Sequence, residues 1–228
     1  MAKRWETFKN KEIIDFANKE YYIDIITNLE VFKKNVKSIL FTANIKNENE
    51  TRVSVNTAFY LARAGFKVLL VDMDFRKRRL SNLLIGNAEL NGVTDYFSEN
   101  LPINDVLYET EIFNIHFIPS GRTKSTAVDL LNRNYLKMLI NGLEDIYDYI
   151  IINCAPMSFC SDAMLLSSIC NGTVLVTKSN FVRRDIVLDN LNILRKSSNE
   201  FLGIILNSVD MKEATYGSFG KYKNFGKY

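Results

Sequence analysis

The sequence predicts an α/β fold with a mostly parallel central sheet and helices on both faces. Short segments that are apolar throughout recur along the 228 residues, which is typical of strands buried on both faces of a sheet. Segments with helical spacing of apolar residues separate most of these strands, as in βαβ units. The composition, 47% hydrophobic and 24% charged, is that of an ordinary folded domain. We therefore predict one domain over residues 1–210, followed by a flexible tail over 211–228.

The predicted elements follow one another in a regular order. A helical pattern over 11–34 precedes the first strand, and a helix over 53–64, ended by Gly65, follows it. Further helices are predicted at 126–143, 162–169 and 184–196. Buried strands are predicted at 37–43, 67–74, 115–119, 149–153, 173–177 and 202–207. Because the helix over 53–64 connects the first two strands, we expect these strands to be parallel and side by side.

Charge, hydropathy and cysteine content exclude several classes of protein. Residues 212–228 alone account for the net charge of +3, so the rest of the chain is neutral and no nucleic-acid partner is expected. No apolar segment reaches the roughly 18 residues of a membrane-spanning helix, and the first residues are too polar for a signal peptide. The cysteines, Cys154, Cys160 and Cys170, lack the spacing of a zinc site. We expect them and His116 to be structural.

Polar side chains stand where the predicted strands end. Asp72 and Asp74 close the second strand, Asn153 closes the fourth and Asn207 closes the last. Ligands of open parallel sheets bind at these ends. Two carboxylates two residues apart would suit a hydrated magnesium ion or a proton acceptor. A structural alternative, in which Asp72 and Asp74 cap the next segment, fits this pattern equally well.

Several segments, taken in chain order, resemble one family. They read Leu-Leu-Val-Asp-Met-Asp-Phe-Arg at 69–76, Gly-Val-Thr-Asp-Tyr-Phe at 92–97, Tyr-Ile-Ile-Ile-Asn-Cys-Ala-Pro at 149–156 and Leu-Gly-Ile-Ile-Leu-Asn at 202–207. This series resembles the CpsD/CapB tyrosine kinases, which regulate capsule and exopolysaccharide synthesis in bacteria and are relatives of the deviant P-loop ATPases MinD and ParA. The resemblance implies a P-loop NTPase-like fold that binds ATP and Mg²⁺ and transfers phosphate to tyrosines of the tail.

The phosphate-binding loop departs from the family pattern. Residues 46–51, Lys-Asn-Glu-Asn-Glu-Thr, stand where the family has its Walker A loop. Asn47 and Asn49 replace the two glycines and Glu50 replaces the lysine, while Thr51 keeps a hydroxyl for magnesium. Asparagine tolerates positive φ better than most residues, so we expect the loop to keep part of its shape. The two amide side chains would still crowd phosphates that need bare backbone.

Among these departures from the family pattern, Glu50 has the largest predicted effect on the binding of a triphosphate. A pair of unit charges at ~4 Å in an effective dielectric near 20 is worth about 4 kcal/mol. Exchanging an attractive lysine for a repulsive glutamate should therefore weaken the binding of a triphosphate several thousandfold, at ~1.4 kcal/mol per factor of ten. We expect Glu50 to be an ordinary solvated acid of the loop.

The other positions of the predicted site are partly retained. Asp72, Asp74, Arg76 and Asn207 match the family, and the resemblance implies that the two aspartates are catalytic and that Asp72 and the loop hydroxyl hold magnesium. Asn153 stands at the Walker B aspartate, which removes a negative charge near that ion. Degenerate Walker A and Walker B motifs thus predict a pseudokinase that binds ATP and Mg²⁺ weakly or not at all.

The tail resembles the autophosphorylated tyrosine cluster of the family. Tyr216, Tyr222 and Tyr228 are the predicted phosphate acceptors, whereas Phe219 and Phe225 stand where tyrosine is usual. The resemblance implies a transmembrane adaptor of the chain-length-regulator type, which would hold the chain at the cytoplasmic face of the cell membrane. It also implies an active sister tyrosine kinase that phosphorylates the tail in trans.

The oligomeric state and the activity of the chain each have more than one interpretation. The resemblance implies a homo-oligomer joined through the first helix, where Glu20 remains but Ile23 and Ile26 replace expected arginines. One alternative function is an active, autophosphorylating kinase that uses Asp72 and Asp74. Another is a positioning ATPase of the MinD/ParA type, against which the tyrosine-bearing tail argues.

Overall fold

The computed structural model of the chain describes residues 3–4, 13–31, 36–122, 133–158 and 161–209. The tail predicted over 211–228, with its three tyrosines, lies outside the described residues. Cys160 and the first part of the helix predicted at 126–143 lie outside them as well. The domain limit at residue 210 therefore stays a prediction.

In the described part of the chain, eight strands form one sheet in the order β1-β4-β5-β3-β6-β2-β7-β8. The strands are β1 (Lys3–Arg4), β2 (Ser38–Ala43), β3 (Val68–Asp72), β4 (Tyr108–Glu109), β5 (Ile115–Ile118), β6 (Tyr149–Asn153), β7 (Gly172–Lys178) and β8 (Phe201–Asn207). All neighbouring strands are parallel except β4 and β5. The predicted mostly parallel sheet is confirmed.

Helices cover both faces of this sheet, as predicted. They are α1 (Lys19–Val31), α2 (Glu50–Arg63), α3 (Arg79–Ile85), α4 (Val93–Ser98), α5 (Arg133–Glu144), α6 (Asp162–Ser167) and α7 (Arg184–Ser197). Helices α1, α2 and α3 share a core with Ile39 and Leu70, whereas α4, α5 and α6 share one with Leu40 and Leu69. Successive strand residues thus face opposite helix layers. Within the ranges that the structure describes, none of the helices combines the length and hydropathy needed to span a bilayer.

β2 and β3 are parallel, as predicted, but they are not neighbours. Ile152 of β6 pairs with Leu40 of β2 on one side and with Val71 of β3 on the other. β6 therefore lies between the two strands, and its isoleucines are fully buried there. The expectation that β2 and β3 lie side by side was wrong. It assumed that strands that follow one another in the chain are also neighbours in the sheet, whereas the connection through α2 passes over β6.

Candidate functional site

The polar residues singled out in the sequence meet at one edge of the sheet, at the carboxyl ends of β2, β3 and β6. Because β6 lies between β2 and β3, Asp72 pairs with Asn153 across the strands. Ser54 Oγ of α2 lies 3.5 Å from Asn153 Oδ1 and 2.9 Å from the carbonyl oxygen of Thr51. The sheet edge and the start of α2 are therefore in contact at this point.

The loop between β2 and α2 keeps two left-handed turn positions. The φ angle is 68° at Asn47 and 66° at Asn49. Glycine usually occupies this region of backbone space, and asparagine is one of the few other residues that adopt it readily. The loop thus keeps these turns without glycine, but each turn carries an amide side chain.

Glu48, which the sequence analysis did not single out, holds this loop in place. Its side chain is fully buried. Oε2 accepts hydrogen bonds from the N–H groups of Asn44 at 2.6 Å and Ile45 at 2.8 Å, and Oε1 accepts one from the N–H of Lys178 at 3.1 Å. Asn207 donates from Nδ2 to the Glu48 carbonyl at 3.1 Å. The only sequence feature that marks Glu48 is its position between two turn-forming asparagines. In the structure its carboxylate binds backbone N–H groups that would otherwise suit an anion.

Glu50 is the first residue of α2, and only 2% of it is exposed. The expectation of a solvated loop acid was wrong because α2 begins at this residue rather than at residue 53, so that Glu50 belongs to the packed first turn. Arg79, the first residue of α3, places Nη1 2.7 Å from Glu50 Oε1 and Nε 3.7 Å from Asp74 Oδ2. Burial raises the pKa of the Glu50 carboxyl above its ordinary value, although its backbone N–H and Arg79 oppose this shift.

Asp72 and Asp74 bind the segment that follows β3. Asp72 Oδ2 accepts hydrogen bonds from the N–H and the Oγ of Ser81 at 2.8 and 2.7 Å, and its Oδ1 accepts one from the N–H of Asp74 at 3.1 Å. Asp74 Oδ1 accepts one from the N–H of Lys77 at 3.0 Å. Both carboxyls thus make the capping contacts that the structural alternative requires. Asp72 uses both oxygens in this way, whereas Oδ2 of Asp74 points to Arg79.

Three buried polar atoms at this edge of the sheet have no hydrogen-bond partner: Thr51 Oγ1, Asp74 Oδ2 and Asn153 Nδ2. Such atoms mark positions where water, an ion or a ligand completes the hydrogen bonding. The two oxygens fit Mg²⁺, which takes oxygen ligands. The described ranges contain no group of three His, Cys, Asp or Glu side chains arranged for a metal ion.

The triphosphate of ATP does not fit the residues present. A phosphate at the start of α2 would meet the buried carboxylate of Glu50, and the N–H groups of Asn44 and Ile45 are already bound to Glu48. Repulsion between these charges outweighs the attraction of the helix N-terminus, which is worth at most ~2 kcal/mol.

The remaining predicted residues lie around this centre. Arg76 Nε lies 3.9 Å from Asp162 Oδ2, so that the β3–α3 loop is joined to α6. His116 Nδ1 forms a 2.6 Å hydrogen bond with the hydroxyl of Tyr147. Cys154 and Cys170 are buried in the core. These contacts are those of structural residues, as expected for the histidine and the two cysteines.

Asp72 should make stability depend on pH. Burial raises its pKa to about 6 from an ordinary value of 3.8. Because the folded-state pKa lies above the unfolded one, the contribution of Asp72 to stability is complete below the ordinary value and is lost as the pH rises through 6. The loss is about 3 kcal/mol. Between about pH 4 and pH 7, urea titrations should show the free energy of unfolding falling more steeply with pH in the wild type than in Asp72→Asn.

The control for this measurement is Asp189→Asn, which removes an exposed carboxyl of α7. This variant should keep the slope of the wild type. Equal slopes in the wild type and in Asp72→Asn would contradict the prediction.

Comparison with known proteins identifies the family. The family described as an AAA domain matches residues 37–179. The tyrosine-protein kinase CpsD of Streptococcus agalactiae is 35% identical over 203 residues, which are 89% of each chain. The kinase domain of the Escherichia coli tyrosine kinase ETK superposes with a TM-score of 0.77 at 24% identity, over 84% of this chain and 75% of the other.

A cell division ATPase has the same fold. The cell division ATPase MinD of Pyrococcus furiosus superposes with a TM-score of 0.64 at 25% identity, over 75% of this chain and 71% of the other. The P-loop NTPase-like fold implied by the resemblance is thereby confirmed. On the evidence of its matched domain and of its identity to the streptococcal kinase, the chain belongs to the AAA domain family and, within it, to the CpsD/CapB group of bacterial tyrosine kinases.

Proposed function

We propose that this chain is a pseudokinase of capsular or exopolysaccharide biosynthesis: a CpsD/CapB-type protein that regulates through binding and does not itself transfer phosphate. The observation that carries the proposal is the buried Glu50 at the position of the phosphate-binding lysine, paired with Arg79 at 2.7 Å. A carboxylate there repels the triphosphate that a lysine would attract. The arginine nearest to it is already neutralised by Glu50 and Asp74.

Two further features support the loss of nucleotide binding. Asn47 and Asn49 keep the turns of the loop but add side chains where phosphates approach the backbone. Asn153 supplies an amide in place of the carboxylate that would hold the water shell of magnesium. Each of these changes weakens a different contact of an ATP–magnesium complex.

The proposed partners follow from the family. A transmembrane adaptor of the chain-length-regulator type would hold this chain at the cytoplasmic face of the membrane, and an active sister kinase would phosphorylate its tail tyrosines. A homo-oligomer is the third proposed assembly. No nucleic acid is proposed as a partner, since the charge outside residues 212–228 is balanced.

One observation favours an active kinase instead. Thr51 Oγ1 and Asp74 Oδ2 are buried without hydrogen-bond partners, as ligands of a magnesium ion would be before it binds. The resemblance implies Asp72 as the magnesium ligand, but both of its oxygens accept hydrogen bonds from Asp74 and Ser81. Such an enzyme would therefore use Asp74 as the metal ligand and Asp72 as a base. Asp72 has a raised pKa of about 6, which suits proton transfer near neutral pH.

Calorimetric titration of the full chain with ATP and magnesium separates the two functions. We expect no binding with a dissociation constant in the micromolar range. A micromolar constant would contradict the pseudokinase, as would a crystal structure with nucleotide phosphates on the backbone amides of residues 47–51. ADP with magnesium serves as a second probe, because its shorter phosphate chain tests whether only the terminal phosphate is rejected.

A further inference from the structure

One arginine joins two elements of the candidate site. Arg79 begins α3 and Glu50 begins α2, and their side chains meet at 2.7 Å between Nη1 and Oε1. The side chain of Glu50 is 3% exposed and that of Arg79 is 26% exposed. Water and salt therefore screen this ion pair much less than they screen a pair on the surface.

Arg79 also lies beside a second buried acid. Its Nε is 3.7 Å from Oδ2 of Asp74, whose side chain is 1% exposed. Loss of Arg79 would remove one cation from two buried carboxylates at once. Removing one partner of a buried ion pair is strongly destabilising because the remaining charge is uncompensated, whereas removing both partners is much less so.

The loop before α2 is held on its other side by Glu48. This carboxylate accepts hydrogen bonds from Asn44 and Ile45 of the loop and from Lys178, the last residue of β7. Glu48 thus attaches the loop to β7, and Glu50 attaches the start of α2 to α3 through Arg79. Both attachments are made within the chain and need no ligand.

We propose that Arg79 is a positioning residue that locks the first turn of α2, and the loop over 44–49 before it, to α3 in the absence of nucleotide. The internal pair of Glu50 and Arg79 replaces the contact between a loop lysine and a phosphate that is typical of P-loops. The inference rests on the proposed function, since it takes the loop to be free of nucleotide. Under this proposal the ion pair, and not a bound ligand, limits how often the loop opens.

A double-mutant cycle on the full chain tests the lock. The variants are Arg79→Gln, Glu50→Gln and the two combined. Lys77→Gln is the control, because it removes an exposed cation two residues before Arg79. Thermal unfolding gives the coupling, and amide hydrogen exchange of residues 44–53 reports loop opening. We expect each single change to lower the unfolding midpoint by several degrees and the combined change to lower it by less than their sum. Arg79→Gln should speed exchange at 44–53 at least about tenfold, and the control should change neither quantity.

Two results would overturn the lock: additive effects in the cycle, or Arg79→Gln behaving like the control. If Arg79→Gln does not fold, Arg79→Lys decides, because it keeps the charge and should hold exchange near the wild-type rate. Fast exchange in Arg79→Lys would then count against the lock. Titration of the same samples with ATP and magnesium distinguishes the failure of the pseudokinase proposal from the failure of the lock. Binding by the wild type contradicts the pseudokinase, whereas a missing coupling contradicts the lock alone.

Discussion

Combining Asn47→Gly, Asn49→Gly, Glu50→Lys and Asn153→Asp should raise the affinity of the chain for ATP and magnesium at least about a thousandfold. Most of the gain comes from residue 50, where repulsion of about 4 kcal/mol becomes attraction of similar size. A change of ~1.4 kcal/mol is a factor of ten in affinity, so several such factors are available. Calorimetry of the wild type and of the four-residue variant measures the effect.

A matched variant controls for the change in net charge. Glu89→Lys makes the same charge reversal at an exposed position outside the site and should leave nucleotide affinity unchanged. Glu50→Lys alone should gain less than the four changes together, because the amide side chains of Asn47 and Asn49 and the missing carboxylate at residue 153 remain. If the four-residue variant binds no better than the wild type, the loss of binding lies outside the Walker positions.

The tail should be phosphorylated only when another kinase is present. Tyr216, Tyr222 and Tyr228 keep tyrosine at every second aromatic position of the tail. Phosphoryl transfer needs positive charge beside the negatively charged transferred group, and this chain has Glu50 where a lysine would supply that charge. Each phosphotyrosine adds about −1.5 to −2 charges, so three of them reverse the sign of a segment that carries +3. Contacts of its lysines with an acidic partner would weaken accordingly.

Mass spectrometry of the tail after incubation with ATP and magnesium tests this prediction. The purified chain alone should carry no phosphotyrosine, and the chain mixed with an active sister kinase should carry it on these three residues. A triple Tyr→Phe variant at 216, 222 and 228 is the control for other acceptors. Phosphotyrosine in the chain alone, lost on Asp72→Asn with Asp74→Asn, would show a working kinase.

Local sequence patterns were sufficient to predict the strands, but not the order of the strands in the sheet. Segments such as 149–152 are apolar throughout, and a strand covered on both faces accommodates such a run. The position of β6 between β2 and β3 depends on how three buried strands share one core, which no segment encodes alone. The same is true of the start of α2, where tertiary packing extends the helix to Glu50 across residues that lack apolar spacing.

The sequence predicted which residues form most of the candidate site, but not which contacts they make. The positive φ of Asn47 and Asn49 follows from residue type, and the meeting of Asp72 with Asn153 follows from parallel strands ending at one edge. The contacts of Glu48 with Lys178 and of Arg79 with Glu50 could not be predicted, because they join elements that are apart in the chain. Arg79 in particular lies in a basic run that, in sequence, is typical of a solvated surface.

The ion pair between Glu50 and Arg79 constrains how the sequence can change one residue at a time. A change of Glu50 to lysine would set two cations against each other, and a change of Arg79 alone would leave a buried acid without its counter-ion. Each single change lowers the free energy of unfolding, whereas a change of both residues together lowers it by less than the sum. We therefore expect the two positions to vary together rather than independently.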